Sequence, residues 1–145
     1  MAMVSLTRRV SFRASHRYRR ADWSNAKNET VFGPRALQEY HSHSYVCDVT
    51  VSGPVNKDTG MIVDLRILDG ALRTEVVERL DGRNLNIDVP EFCDGAQIPT
   101  GENLATLIAS LVQRALDRDG AHVPVTQVTV AEDATLSATW RAGGP

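Results

Sequence analysis

The amino-acid sequence predicts an α+β domain, an antiparallel four-stranded sheet with two helices on one face. Three observations predict it. Segments alternating apolar and polar side chains lie near both ends of the chain. Between them, two stretches repeat apolar residues at helical spacing. Sequential strands are joined by loops and not by helical crossovers, which suits antiparallel pairing.

The first strand places Val4, Leu6, Val10, Phe12, Ala14 and His16 on one face, with Arg8 as the exception. A polar stretch, RRADWSNAKNETVFGPRALQ, reads as a loop. The second strand puts His41, His43, Tyr45, Cys47, Val49 and Val51 on one face, and Gly53 and Pro54 end it. NKDTG is a turn and MIVDL a short extended piece. Asp64 is the expected N-cap of a helix running to about Leu80, with Leu65, Leu68, Leu72, Val76 and Leu80 as its apolar stripe. DGRNLNIDVPEFCDGAQIP reads as a loop. Thr100 then caps a second helix that buries Leu104, Leu107, Ile108, Leu111, Ala115 and Leu116 and ends before Gly120. The last segment reads as two strands; Val128, Val130 and Glu132 share a face, and Asp133 and Ala134 mark the turn.

The length of 145 residues suits one domain spanning the whole chain. The net charge of −2 gives no electrostatic reason to expect a nucleic-acid or membrane partner. No apolar run approaches the roughly 20 residues of a membrane span, and the Arg-rich start lacks the apolar segment of a secretory signal. Two cysteines, Cys47 and Cys93, are too few for a disulfide framework and fit a reducing cytoplasm.

The chemistry centres on His16, His41 and His43. Side chains at i and i+2 of a strand share a face, roughly 6.6 Å apart along the chain. If the first two strands are neighbours, three imidazoles converge at one end of the sheet. Three histidines with a fourth position open are the ligand set of a catalytic zinc. The same spacing also suits histidines that cap strands or bond backbone carbonyls.

The segments FRASHRY, HSHSY, GPVNKDTGMIVDL, LDGRNLNIDVPEF, IPTGENLA and VAED resemble, in order and spacing, the 6-pyruvoyl-tetrahydropterin synthase and 6-carboxy-tetrahydropterin synthase family. The resemblance implies the tunnelling fold (T-fold), subunits joined edge to edge as a homo-hexamer, a dimer of trimers, and a small reduced pterin as substrate. It implies Zn2+ held by His16, His41 and His43. It further implies that Glu132 anchors the pterin's amino-pyrimidine edge through a charge-assisted pair, with Thr100 and Glu102 as further substrate contacts. Thr100 can be a plain N-cap as well, both roles holding at once, and the alternative for Glu132 is a solvated residue beside a turn, against which stands its shared parity with inward Val128 and Val130.

The departures from the family fall on its proton carriers. Arg35 takes the place of the family's catalytic cysteine, and Gly82 that of the histidine paired with Asp81. An aspartate without that imidazole, with an ordinary pKa near 4, is a poor base at neutral pH. Glu39, two residues before His41, is the candidate replacement, or else an exposed loop acid. Cys47 is expected in the core, Cys93 in a loop, and His122 on the surface or as a substitute relay. Arg8, Arg9, Arg13, Arg17, Arg19 and Arg20 form a solvated basic stretch, or else Arg17, Arg19 and Arg20, which follow His16 directly, are donors for a triphosphate tail. No aromatic platform interleaves them as RNA binding would need. The expected function is a zinc-dependent lyase acting on a reduced pterin such as dihydroneopterin triphosphate. The other expectation is a catalytically inactive zinc- and pterin-binding homologue, or a partner subunit of an active paralogue.

Overall fold

The computed structural model of the chain describes residues 2–37 and 39–143, and the side chains of Arg35 and Asp94 lie outside what is described. Strand β1 (Met3–His16) pairs antiparallel with β2 (His41–Pro54), β2 with β4 (Val125–Ala131), and β4 with β5 (Ser137–Arg141). The alternation fixes the register, because a slip of one residue would turn every apolar side chain outward. Phe12, Ala14, Tyr45, Cys47, Val49, Val51, Val128 and Val130 thereby all face the core. The opposite face is polar, with cross-strand pairs such as Thr7–Thr50 and Thr129–Thr139.

The sheet has five strands and is mixed, which corrects the expected four antiparallel ones. The extra strand, β3 (Arg83–Asn84), runs parallel to β1 beside Ala14 and Ser15. Two residues are too few to show alternation, so β3 leaves no periodic signal. Its position is set by Gly82 and Asp81. The Gly82 N–H donates to the Arg13 carbonyl (2.7 Å), and the Asp81 carboxylate accepts the Arg13 N–H (2.9 Å).

Two helical layers cover the apolar face. The first comprises α2 (Leu65–Leu72), a π turn (Arg73–Val77) and α3 (Glu78–Leu80), capped by Asp64 as expected. Leu68, Leu72, Val76 and Leu80 recur every four residues and are buried, whereas Leu65 is exposed. In a helix of 3.6 residues per turn each such step drifts by about 40°. The wider π turn takes up that drift and keeps the row on the core. Arg8, on the inner face of β1, reaches out to Asp69 of this layer (2.9 Å). The second layer is α5 (Gly101–Arg118), capped by the Thr100 hydroxyl and closed by Gly120 in a left-handed turn.

Both stretches read as loops contain helix. The stretch 19–38 includes α1 (Asn25–Phe32) and a 3-10 turn (Pro34–Leu37), and 81–99 include α4 (Leu85–Asp88) and a 3-10 turn (Pro90–Gly95). Helix α1 has no apolar stripe. It is held instead by its Ser24 cap and by buried Asn28, whose amide donates to the carbonyls of Arg20, Trp23 and Ser24. Among the described residues no helix is long and apolar enough to cross a membrane.

Candidate metal centre and ligand pocket

The β1–β2 register sets His16 directly opposite His41 and Ala14 opposite His43, so all three imidazoles meet above the end of the ladder. Their ligand nitrogens lie within 4.8 Å of one another. Buried His16 has its Nδ1 2.8 Å from the Pro99 carbonyl and 3.1 Å from the Tyr45 hydroxyl. A carbonyl only accepts, so Nδ1 carries the proton and Nε2 presents a lone pair, 3.0 Å from His41 Nε2. Burial, against the opposing Pro99 carbonyl, pushes the His16 pKa down to about 4, and the neighbouring imidazoles add to the effect. His16 is therefore neutral at physiological pH, the form a metal needs.

Among the described residues, His43 Nε2 is buried without a hydrogen-bond partner. Burying an unpaired polar nitrogen costs about 1–3 kcal/mol, which a bound cation would offset. A tetrahedral zinc with three imidazoles holds their nitrogens roughly 3.3 Å apart, close to the His16–His41 separation. The donor set fits zinc, and exposed His41 leaves the cluster accessible from one side.

Glu132 follows β4 and is 9% exposed. One carboxylate oxygen lies 3.6 Å from His43 Nε2, and the other accepts from the Tyr18 hydroxyl at 3.3 Å. Burial, followed by the Glu132 charge, pushes the Tyr18 pKa up to about 12, so the phenol keeps its proton and donates. The Tyr18 ring stands edge-on to both His16 and Phe32, which ties α1 to the site. Entry to α5 meets the cluster through Pro99. Thr100 Oγ accepts the Asn103 N–H (3.1 Å), and exposed Glu102 lies close enough to contribute to the Tyr18 shift.

The other expected residues are placed differently. β2 begins at His41, so the strand does not carry exposed Glu39 onto the histidine face. Asp81 is exposed and tied to the β1 backbone at Arg13, three residues or roughly 10 Å along the strand from His16. Cys47 is wholly buried, and that burial pushes its thiol up to about 12. Cys93 Sγ donates to the Ile87 carbonyl. His122 lines a cleft with Met3 and Pro54, at the far end of the β1–β2 ladder from His16. Thirteen strand steps, roughly 43 Å, separate those ends, so His122 cannot serve this cluster within one subunit. Sequence reasoning passed over Tyr18 and Tyr45. Both lie two residues from a cluster histidine, and the same i, i+2 rule that grouped His41 with His43 would have found them.

Residues 5–143 match the family model described as 6-pyruvoyl tetrahydropterin synthase. The 6-pyruvoyl tetrahydrobiopterin synthase of Drosophila melanogaster is 40% identical over 103 residues, covering 71% of this chain and 60% of that protein. The Homo sapiens protein of the same name is 36% identical over 113 residues, 78% of this chain and 77% of that one. The solved structure of Caenorhabditis elegans 6-pyruvoyl tetrahydropterin synthase superposes with a TM-score of 0.87 at 29% identity, covering 99% of this chain and 98% of that one.

Proposed function

Since the chain belongs to the 6-pyruvoyl tetrahydropterin synthase family, we propose that it is a zinc-dependent lyase acting on a reduced pterin such as dihydroneopterin triphosphate. The observation that carries this reading is the convergence of His16, His41 and His43 around a buried, unpartnered His43 nitrogen, with the Glu132 carboxylate beside it. Zinc bound by these residues would supply Lewis acidity toward the vicinal oxygens of the pterin side chain, acidifying the adjacent C–H. Glu132 accepts the two N–H donors of the amino-pyrimidine edge, and Tyr18 holds the carboxylate in place. Pro99 and Tyr45 fix the His16 ring, so the ligand nitrogens are oriented before any ligand arrives. Thr100 and Glu102 line the approach from α5. Neither Glu39 nor Asp81, the expected proton carriers, sits on the histidine face within one subunit, and Glu39→Gln and Asp81→Asn test whether either takes part in proton transfer.

The same reading includes a cytoplasmic homo-hexamer, a dimer of trimers. The outer edges of β5 and β3 are unpaired within the described chain, and edge-to-edge joining would cover them.

One observation favours a second reading, a zinc- and pterin-binding homologue without turnover. Gly82 stands beside Asp81 where the family's relay histidine belongs, Cys47 is buried in the core, and the Cys93 thiol donates to the Ile87 carbonyl. Protein carrying stoichiometric zinc, incubated with dihydroneopterin triphosphate and with dihydroneopterin, separates the two. New products by mass spectrometry support the lyase; pterin binding without turnover supports the binding protein. Unchanged zinc content in His41→Ala would overturn both.

A further inference from the structure

Strand β1 ends at His16, and the four residues after it belong to no helix or strand. Two asparagine side chains hold their backbone instead. Asn86, in α4, takes both backbone groups of Arg17: its carbonyl oxygen accepts the Arg17 N–H and its amide donates to the Arg17 carbonyl, each at 2.9 Å. Asn28, in α1, does the same for Arg20, at 2.8 and 3.0 Å. A primary amide carries an acceptor and two donors, so it can stand in for the neighbouring strand of a ladder.

Each clamp is itself fixed. Asn86 comes two residues after β3, which pairs with β1 at Ala14 and Ser15, and the Asn84 side chain accepts the Asn86 N–H at 3.0 Å. The pairing that begins at Arg13 with Asp81 and Gly82 therefore continues past the end of β1 to Arg17. Asn28 is wholly buried, and its amide donates also to the carbonyls of Trp23 and Ser24, at 3.3 and 3.0 Å. A buried amide so engaged specifies one backbone geometry, because any other leaves polar atoms stranded away from water. One helical turn after Asn28, Phe32 stacks on Trp23, with ring centres 5.8 Å apart.

Tyr18 lies between the two clamps. Its ring stands edge-on to His16 at 5.2 Å and to Phe32 at 6.2 Å, and its hydroxyl donates to Glu132, 114 residues away. We infer that Asn28 and Asn86 are positioning residues of the ligand pocket: they set the backbone on either side of Tyr18 so that its hydroxyl meets Glu132, and they act on a bound pterin only through that contact. The effect on a pterin rests on the function proposed above; the placement of Tyr18 by the two clamps does not.

Fluorescence titration of the zinc-loaded full chain with dihydroneopterin tests this in single and double variants. Asn86→Ala and Asn28→Ala each raise the dissociation constant roughly fivefold, the worth of one hydrogen bond, with zinc content unchanged. In a Tyr18→Phe background neither adds a further increase, because the contact they serve is already gone. Asn86→Asp, which keeps the acceptor for the Arg17 N–H and loses the donor, falls between wild type and Asn86→Ala. Asn56→Ala removes an asparagine that accepts the Asp58 and Thr59 N–H groups in a turn at the far end of the ladder, and it leaves binding unchanged. Additive losses with Tyr18→Phe, or an equal loss in Asn56→Ala, overturn the inference, since general loosening of the fold would give both. Thermal melts confirm that each variant is folded; if the more deeply buried Asn28→Ala is not, Asn86→Ala decides. A second readout needs no pterin. NMR cross-relaxation between the Tyr18 and Phe32 rings is present in the wild type and lost in Asn86→Ala, and its persistence there overturns the clamp. Absence of dihydroneopterin binding by the wild type would sink the proposed function, and the ring contact would still decide the role of the asparagines.

Discussion

The two ends of the β1–β2 ladder carry different chemistry on one continuous scaffold. At one end His16 faces His41, with a buried orphan nitrogen on His43 and a sequestered carboxylate on Glu132. At the other, Met3 faces Pro54 beside a cleft of about 590 Å³ lined mainly by apolar side chains, among them Val55, Met61 and Ile62. The far cleft has room for a small molecule, yet among the described histidines only His122, on a left-handed turn, lines it. The near end holds the neutral His16 imidazole and, among the described residues, a buried His43 nitrogen without a hydrogen-bond partner. Buried polar groups without partners mark a site better than volume does, because the fold sustains their cost only where something else meets it.

The largest test of that contrast is metal content. Removing one of three ligands leaves two, too few for a tight tetrahedral site, so His43→Ala should drop zinc from about one equivalent to below about 0.1 by elemental analysis. His122→Ala, at the far end, should leave zinc unchanged. Equal losses in both variants would erase the distinction between the ends.

The next effect is a gain. Gly82 adopts a left-handed φ of 72°, and nothing lies within 4 Å of where its Cβ would stand. Histidine is among the residues that tolerate this region, at a cost of about 1 kcal/mol. The neighbouring Asp81 carboxylate is already fixed by the Arg13 N–H. Gly82→His should therefore lower the melting temperature by roughly 3 °C and raise turnover of dihydroneopterin triphosphate by about 100-fold, the lower range for general acid–base catalysis. Asp81→Asn should cancel the gain. No gain would mean that the site does not run relay-type proton transfer.

Glu132→Gln comes third. It keeps the shape and the Tyr18 partner but removes the charge. Hydrogen bonds to charged groups contribute about 1.5–3 kcal/mol, so pterin binding should weaken about 10- to 100-fold by fluorescence titration with zinc content intact. A loss of zinc in this variant would make the carboxylate a metal ligand and not a ring anchor.

How much of this was legible in the sequence depended on periodicity. Alternation in β1 and β2 was long enough to fix both face and partner, and it carried His16, His41 and His43 to one point. The capped helices followed from Asp64, Thr100 and their apolar rows. What lay outside a period was not legible. β3 is two residues long, and α1 is held by one buried asparagine and a serine cap. The π turn appears only as a row of residues spaced by four. The metal cluster was accessible because two of its ligands share a strand. The Pro99 carbonyl that sets the His16 tautomer comes from 83 residues away and belongs to no motif.

The smallest effect belongs to Tyr18, which links the two halves of the near end. Its hydroxyl donates to Glu132 at 3.3 Å, a long bond, so its loss should be worth about 1 kcal/mol. Tyr18→Phe should raise KM for the pterin roughly fivefold and leave kcat and zinc content unchanged, since it acts only by positioning Glu132. A second readout separates this from simple repacking. The phenol keeps its proton to about pH 12 in the folded chain, against an ordinary value of 10. The unfolded chain gives up that proton first, so the stability held by the wild type below pH 10 is lost as pH rises from 10 toward 12. Tyr18→Phe has no proton there to lose, and its denaturant midpoint should fall less than the wild type's between pH 9.5 and 11. Parallel pH curves for the two proteins, together with an unchanged KM, would show that the tyrosine is packing alone and that Glu132 is held by its backbone.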